Sequence, residues 1–214
     1  MSAVSRLAAR HGARFLKQEK ALGIERSDGG YLVTTTKRRI RCKQIVLAAG
    51  PGAPELAGHL NVAIPIRTSI IQTAVTEAAA PVMSHLLYHV SRPLTMKQVS
   101  NGNVVIGGGW PGYSSPATGH PLVRRESIAA STWIAQSVVP AVSRMRLLRA
   151  WAACTFTAAD ALPICGAVPG EPGLYLVISN GYGFTMGPLL GRTVSEIVTG
   201  RQPSMDASRL RVGR

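Results

Sequence analysis

Residues 173–191 read GLYLVISNGYGFTMGPLLG and contain a strand, a glycine-rich turn and the beginning of a helix. The continuous apolar run at 174–178 is typical of a short strand buried on both faces. The following run PLLGRTVSEIVTG predicts an amphipathic helix over 187–199. Glycine lowers helix stability, so Gly181, Gly183 and Gly187 at this point predict that another group approaches the backbone closely.

A second apolar run, QIVLAAG at 44–50, ends in small residues. It too predicts a strand buried on both faces. Ala48, Ala49 and Gly50 at its end permit close backbone contact with a ligand. One alternative stays open for both stretches: a buried strand can end in Ala-Ala-Gly, and a glycine-rich turn can begin a packed helix, without any ligand.

The remaining elements have mixed periodicity, which predicts an α/β chain of mixed α+β character. Helical spacing over 2–11 ends at Gly12, and Asp28-Gly29-Gly30 predicts a hairpin turn. Further strands are predicted at 13–17, 19–27, 31–36, 64–76 and 103–109, and a helix at 121–138 begun by Pro121 and ended by Pro140.

Composition indicates a globular chain. With 214 residues, 46% of them hydrophobic and 16% charged, the protein can bury a core. No apolar run reaches the roughly 18 residues of a membrane span, and the first residues lack the apolar centre of a secretory signal, so we expect a cytoplasmic protein. Cys42, Cys154 and Cys165 have no metal-ligand spacing, which predicts free buried thiols and no metal site.

The net charge of +14 is concentrated near the N-terminus, where residues 1–43 carry 11 Lys and Arg against 3 Asp and Glu. The run KRRIRCK at 37–43 falls in a predicted hairpin, and aromatic residues make up only 5% of the chain, which leaves few platforms for stacking bases. A solvated strand face is therefore favoured over a nucleic-acid site. The alternative, a basic nucleic-acid-binding module, predicts binding that weakens steeply with salt.

The order of these motifs resembles the C-terminal part of the FAD-dependent D-amino acid oxidase, glycine oxidase and sarcosine oxidase family. The resemblance rests on IVLAAG at 45–50, the D-x-L-P-I-x-G run at 160–166, and GLYLVI followed by GYGF and PLLG. It implies a partial FAD-binding Rossmann-like domain formed by residues 1–60 and 146–214. Residues 61–145 are then expected to form an antiparallel-sheet substrate domain.

The resemblance also implies which residues contact FAD. A helix N-terminus with unpaired N–H groups suits the pyrimidine edge of the flavin, where negative charge develops on reduction. At Gly183 we expect a turn with positive φ, which a side chain would disfavour. The implied cofactor contacts are Ala21, Ala48, Ala49, Gly50, Gly181, Tyr182, Gly183, Phe184 and Thr185.

Members of the family begin with a strand, a G-x-G-x-x-G turn and a helix, which together bind the FAD pyrophosphate. This segment has no counterpart in the sequence. Three explanations stay open: a truncated product, a misassigned start, or a subunit whose partner chain supplies the segment. We expect the isolated chain to bind FAD poorly and to be inactive. The alternative function is a noncatalytic subunit or remnant that packs against a nucleotide-binding partner.

The substrate implied by the resemblance is a small amine or amino acid that transfers hydride to the flavin, with no side chain required as a catalyst. The family commonly holds the substrate carboxylate with an arginine in a W-A-G-L-R-P-like segment, but here WAACTF places Thr155 at that position. Arg67 and Arg149 are the candidate replacements, although such arginines are more often surface or ion-pair residues. The CTFT run resembles a covalent flavin attachment at Cys154, but a small buried thiol is favoured.

Overall fold

The computed structural model describes residues 2–214, which contain four α-helices and thirteen strands. The helices are α1 (Ser2–Arg10), α2 (Ala53–Gly58), α3 (Arg125–Val138) and α4 (Gly183–Val198), with short 3-10 helices at Gly50–Gly52, Pro140–Arg144 and Ser208–Leu210. The strands are β1 (Ala21–Ser27), β2 (Gly30–Thr35), β3 (Arg39–Cys42), β4 (Ile45–Leu47), β5 (Ile66–Ala78), β6 (Leu87–Tyr88), β7 (Thr95–Gln98), β8 (Asn103–Gly107), β9 (Tyr113–Ser114), β10 (Pro121–Leu122), β11 (Leu147–Ala158), β12 (Ile164–Ala167) and β13 (Leu174–Ile178). This mixture of helices, antiparallel sheets and one parallel strand pair confirms the α/β class of mixed α+β character.

The chain divides into two compact units. Unit 1 is Met1–Pro65 together with Asp160–Arg214, and unit 2 is Ile66–Ala159. Residues 146–159, which the sequence placed with the cofactor domain, lie in unit 2. The physical reason is that β11 pairs with β5 along most of its length, from Leu147 opposite Thr76 to Ala158 opposite Ile66.

Unit 1 contains a three-stranded sheet in the order β12-β13-β4. The two apolar runs of the sequence are parallel neighbours in it, with Leu176 of β13 beside Leu47 of β4. Leu176 and Ile178 are fully buried, as a strand covered on both faces requires. Helix α4 packs Leu190 and Val194 into a cluster of buried residues that also contains Cys165 of β12.

The second sheet of unit 1 is the antiparallel meander β1-β2-β3. The predicted hairpin turn is confirmed, because β1 pairs with β2 across Asp28 and Gly29, and Gly29 has φ +73°. In β3 the side chains of Arg39 and Arg41 are exposed and alternate with half-buried neighbours. The basic run at 37–43 is therefore a solvated strand face, as the sequence predicted.

Unit 2 contains an antiparallel five-stranded sheet in the order β11-β5-β8-β7-β6. Helix α3 contributes Ile134 and Ala135 to its core, where they join Met96 of β7 and Ile106 of β8. Gln72 of β5 is buried, and its side chain both accepts a hydrogen bond from the Arg124 N–H at 2.8 Å and donates one to the Arg124 carbonyl at 3.1 Å. These two bonds fix the N-terminus of α3 to β5.

Three predicted elements differ from the structure. Residues 13–17 form no strand, since their side chains are all exposed. Helix α3 begins at Arg125, because Pro121 and Leu122 pair with β9 instead. The last helix begins at Gly183, four residues before its predicted start, with Pro188 inside it. Within residues 2–214, no helix is long and apolar enough to cross a membrane.

Candidate functional site

The candidate site lies in unit 1 at the carboxyl ends of β4 and β13. Because the two strands are parallel neighbours, the residues that follow them emerge at the same edge of the sheet. Ala48–Gly50 follow β4, and Gly181–Thr185 follow β13. The structure therefore brings together the two segments that the sequence selected, at the edge where open α/β sheets bind ligands.

The segment after β4 turns sharply at Gly50. This residue has φ +55°, a left-handed conformation that glycine adopts without steric cost, and it begins the 3-10 helix Gly50–Gly52. Ala48 and Ala49 are exposed, and Gly50 is half-buried. Their small side chains leave the backbone at this edge open to a ligand.

The segment after β13 forms a tight turn over Ser179–Tyr182. Asn180 has φ +52°, Gly181 has φ +81°, and the Tyr182 N–H donates to the Ser179 carbonyl at 3.1 Å. Two consecutive positive φ values define a type I′ turn, for which Asn-Gly is the preferred pair. Asn180 is only 3% exposed and is a residue that the sequence interpretation missed, although the Asn-Gly dipeptide was the available signal.

Gly183 does not have the positive φ that the sequence predicted. It is the first residue of α4, and the left-handed residues of this segment are Asn180 and Gly181. A β-carbon on Gly183 would lie 3.0 Å from the Ser179 Oγ. The glycine therefore accommodates the close approach of Ser179 rather than an unusual backbone angle.

The N-terminus of α4 is uncapped and faces solvent. No side chain forms a hydrogen bond as its cap, and the first turn contains no acidic residue. Gly181, Gly183 and Thr185 are exposed, Tyr182 is 63% exposed and Phe184 is 89% exposed. A helix N-terminus carries about half a positive charge and unpaired N–H groups, so these residues fit a ligand edge that bears negative charge.

Ala21 does not share this edge of the sheet. It begins β1 in the meander, where it pairs with Thr35 and is half-buried. Its role as an adenine-side contact stays a prediction.

The two candidate substrate residues lie together in unit 2. Thr155 of β11 is opposite Ser69 of β5, and Arg67 of β5 is opposite Thr157, so Arg67 and Thr155 are diagonal neighbours on one face of the sheet. Arg67 is exposed and Thr155 is half-buried. The opposite face of β5 carries the buried Gln72, so Arg67 points away from the core.

Arg149 lies on the same face of β11 as Thr155, since alternate residues of a strand share a face. Its guanidinium carbon is 5.7 Å from the centroid of the Trp151 ring. This cation–π contact gives Arg149 a structural role that Arg67 does not have among the described contacts.

The cysteines differ from the expected set of buried thiols. Cys154 is exposed, Cys42 is half-buried and Cys165 is buried. Burial raises the pKa of the Cys165 thiol to about 11 and also raises the pKa of Cys42. Because Cys154 is exposed in this chain, its interpretation as a small buried thiol is wrong. Among residues 2–214, no group of three or more His, Cys, Asp or Glu side chains is placed to hold a metal ion.

Comparison with known proteins identifies the family. The profile described as FAD dependent oxidoreductase matches residues 1–197. The chain belongs to this family. Its members depend on FAD, and the uncapped helix N-terminus and the open glycine-containing turns at the β4 and β13 edge fit such a cofactor.

Similar proteins are amine and amino acid oxidases. The sarcosine oxidase subunit beta of Rhizobium meliloti (strain 1021) is 27% identical over 98% of this chain and 50% of its own length. The glycine oxidase of Pseudomonas aeruginosa is 26% identical over 81% of this chain and 46% of its own length. The crystal structure of glycine oxidase from Geobacillus kaustophilus has the same fold, with a TM-score of 0.86 over 100% of this chain and 56% of that chain at 19% identity. The chain thus spans about half the length of the relatives it matches.

Proposed function

We propose that this chain is the C-terminal part of an FAD-dependent oxidoreductase that oxidises an amine or amino acid by hydride transfer to the flavin. The observation that supports it most is the meeting of two open segments, Ala48–Gly50 and Gly181–Thr185, beside the uncapped N-terminus of α4. Bound FAD supplies the hydride acceptor. The relatives' names describe oxidation of sarcosine and glycine, which supports the same substrate class here.

Unit 1 is the proposed cofactor part and unit 2 the proposed substrate part. The N–H groups at the beginning of α4 would hold the flavin edge that becomes negative, and the exposed Ala48 and Ala49 backbone would contact the cofactor's ribose and pyrophosphate. Ala21 would contact the adenine. The protein's remaining task is to orient the two reactants and exclude water, without a side chain acting as nucleophile.

Arg67 and Thr155 are the proposed substrate-binding pair. A guanidinium forms bidentate hydrogen bonds with a carboxylate. Arg67 of β5 is exposed and lies on the same face of the sheet as its diagonal neighbour, Thr155 of β11. Arg67 would thereby take the position in space, though not in sequence, of the arginine that Thr155 replaces. A hydroxyl at Thr155 offers one further hydrogen bond.

The proposed partner is a polypeptide segment that supplies the G-x-G-x-x-G turn, either upstream in a longer chain or as a separate subunit. Strand β4 is an edge strand of its sheet, with Val46 41% exposed, and α1 exposes the apolar Val4 and Leu7. An open strand edge and an exposed apolar helix face each favour further structure packed against this unit, which an additional parallel strand and helix would supply. Without that segment we expect the chain to be colourless and inactive.

The test is FAD binding by the 214-residue chain alone and by the completed protein, meaning the chain with a strand–G-x-G-x-x-G–helix segment fused before it or coexpressed. We expect the completed protein to bind FAD and to be reduced by an amine or amino acid. Gly183→Val should abolish FAD retention, because its side chain intrudes on Ser179 and on the flavin edge, whereas Ser195→Ala, an exposed position later in α4, should retain it. Equal FAD affinities for wild type and Gly183→Val would overturn the proposed placement of the flavin.

The second candidate is a noncatalytic subunit that packs against a nucleotide-binding partner, which the exposed β4 edge and α1 face also support. A completed protein that is stable but binds no FAD would favour it. A yellow preparation of the chain alone, with stoichiometric FAD, would instead exclude the need for a partner and revive Cys154 as an anchor. Three free cysteines fit the cytoplasmic location that we propose, and cell fractionation tests it.

A further inference from the structure

The last residue of the chain is bound to the loop that precedes β12. The Arg214 guanidinium donates two hydrogen bonds from one edge to the Asp160 carboxylate, Nε to Oδ2 at 2.7 Å and Nη2 to Oδ1 at 3.0 Å. Its Nη2 also donates to the Leu162 carbonyl at 3.0 Å. A planar guanidinium that forms two parallel bonds to a carboxylate gives one defined geometry, so Arg214 fixes both ends of residues 160–162.

The loop itself has an unusual backbone. Ala161 has φ +58°, a conformation that costs a non-glycine residue energy and persists only where surrounding contacts hold it. The Leu162 N–H donates to the Asp160 Oδ1 at 3.1 Å, which closes a small turn around Ala161. Asp160 therefore serves the loop twice, once through Leu162 and once through Arg214.

The same loop contacts the turn at the candidate cofactor site. The Asn180 side-chain N–H donates to the Ala161 carbonyl, and Asn180 is buried. Asn180 is the first central residue of the type I′ turn that ends at Tyr182, immediately before α4 begins at Gly183. The contacts thus run without interruption from Arg214 through residues 160–162 to the turn that sets the beginning of α4.

We propose that Arg214, Asp160 and Asn180 are positioning residues that hold the Ser179–Tyr182 turn and thereby the N–H groups at the beginning of α4. We refer to these contacts as the 160–180 tether. The tether is a property of unit 1 by itself, but its importance for cofactor binding rests on the proposed function. Its effect is to reduce the conformational freedom that a ligand would otherwise have to remove on binding.

The ion pair persists at neutral pH. The hydrogen bonds from Arg214 and then from the Leu162 N–H lower the pKa of Asp160 to about 2. The carboxylate remains ionised until the solution is strongly acidic, so Asp160 keeps the charge that its bonds to Arg214 require at neutral pH.

The test is amide hydrogen exchange, followed by mass spectrometry, on the 214-residue chain without cofactor. Arg214→Ala should accelerate exchange by about tenfold or more in peptides that cover 160–162 and 179–185. The variant lacks the charge-assisted bonds from Arg214, so local opening of these segments costs less free energy. Exchange in β13 should not change. Arg209→Ala, an exposed arginine in the same C-terminal segment, is the matched control and should leave all peptides unchanged.

Two further variants keep the proposal testable if Arg214→Ala unfolds. Asn180→Asp retains size and the preference for positive φ but replaces the donor with an oxygen that repels the Ala161 carbonyl, so it should accelerate exchange at 179–185. Arg214→Lys should restore part of the protection, because a lysine keeps the charge but not the fork. Unchanged exchange at 179–185 in both Arg214→Ala and Asn180→Asp would overturn the tether.

Cofactor affinity separates the tether from the proposed function. In the completed protein, Arg214→Ala should weaken FAD binding measurably, by up to about tenfold, because the turn is no longer held in its binding conformation. Arg209→Ala should leave the FAD affinity unchanged. If wild type binds no FAD, the proposed function fails, yet the exchange experiment still decides whether the tether exists. If exchange changes but FAD affinity does not, the turn is held without serving the cofactor, and the positioning role is rejected.

Discussion

Arg67 on β5 and Thr155 on β11 are diagonal neighbours on one face of the unit 2 sheet, because Arg67 pairs with Thr157 and Thr155 pairs with Ser69. The two residues are 88 positions apart in sequence, and their proximity follows from the antiparallel register alone. The sequence predicts that Thr155 occupies the position of the family's carboxylate-binding arginine, and the structure places Arg67, one of the two candidate replacements, next to Thr155.

This geometry predicts the effect of Arg67→Leu on the completed protein. A charge-assisted hydrogen bond contributes roughly 1.5–3 kcal/mol, so the KM for a carboxylate-bearing amine such as sarcosine should rise by about 10- to 100-fold. Arg149→Leu, which removes an arginine already packed on Trp151, should change KM much less. Steady-state kinetics of both variants show which of the two arginines binds the substrate carboxylate. Equal effects on KM would argue against Arg67 as the carboxylate ligand.

The turn after β13 predicts different tolerances for two neighbouring glycines. Gly181 has φ +81°, so Gly181→Ala should lower the free energy of unfolding by about 1–2 kcal/mol. Gly183 lies in the helix, where alanine is favoured by about 1 kcal/mol, and the close Ser179 Oγ offsets that gain. Urea denaturation of the two variants should therefore show Gly183→Ala to be the milder change. The opposite order would mean that the turn is not type I′.

The cysteines should differ in their reaction with iodoacetamide at pH 8. Cys154 is exposed and should be alkylated in the native protein. Cys165 is buried and its pKa is raised to about 11, so about one molecule in a thousand carries the reactive thiolate at that pH. Peptide mass spectrometry should find Cys165 modified only after denaturation, with Cys154→Ser as the control for site assignment. Rapid labelling of Cys165 in the native protein would contradict its burial against Leu190 and Val194 of α4.

Glu196 should contribute to stability against acid. Its carboxylate accepts the Ser204 N–H at 2.8 Å and contacts the Arg192 Nε at 2.9 Å, and these bonds, the Ser204 bond first, lower its pKa. The folded pKa lies below the unfolded value, so the unfolded chain binds more protons between the two values. The contribution is therefore complete above the unfolded pKa, near 4, and is lost as the pH falls through the folded pKa.

Glu196→Gln measures this contribution. At pH 7 the variant should have a lower Tm than wild type, and as the pH falls below the unfolded pKa its stability should fall less steeply than that of wild type. Glu55→Gln, an exposed glutamate in the first turn of α2, is the control. If the variant and wild type lose stability equally as the pH falls, contacts other than the bond from Ser204 to Glu196 hold the segment after α4.

The sequence by itself determined the parts of the fold that depend on local patterns. The apolar runs at 45–47 and 174–178 specify strands, but only 174–178 is buried on both faces, because β4 lies at the edge of its sheet and exposes Val46. The Asp28-Gly29 pair specifies a hairpin because its backbone favours positive φ. Helix spacing located α1, α3 and α4 to within a few residues. Small residues at strand ends indicated Ala48–Gly50 and the glycines at 181 and 183, whereas Tyr182, Phe184 and Thr185 were added by the resemblance to the family.

Only the tertiary structure decided which of these pieces meet. Strand β11 joined unit 2 because it pairs with β5, and no local pattern in RLLRAWAACTFTA specifies a partner 80 residues away. Cys154 is exposed although free cysteines are usually buried, because exposure depends on what packs against the strand. The left-handed residues of the turn after β13 are Asn180 and Gly181 and not Gly183, since the hydrogen bond from the Tyr182 N–H to the Ser179 carbonyl closes the turn before Gly183. Long-range pairing, burial and loop contacts such as Asn180 with Ala161 are collective properties of the folded chain, whereas strand and turn preferences reside in a few consecutive residues.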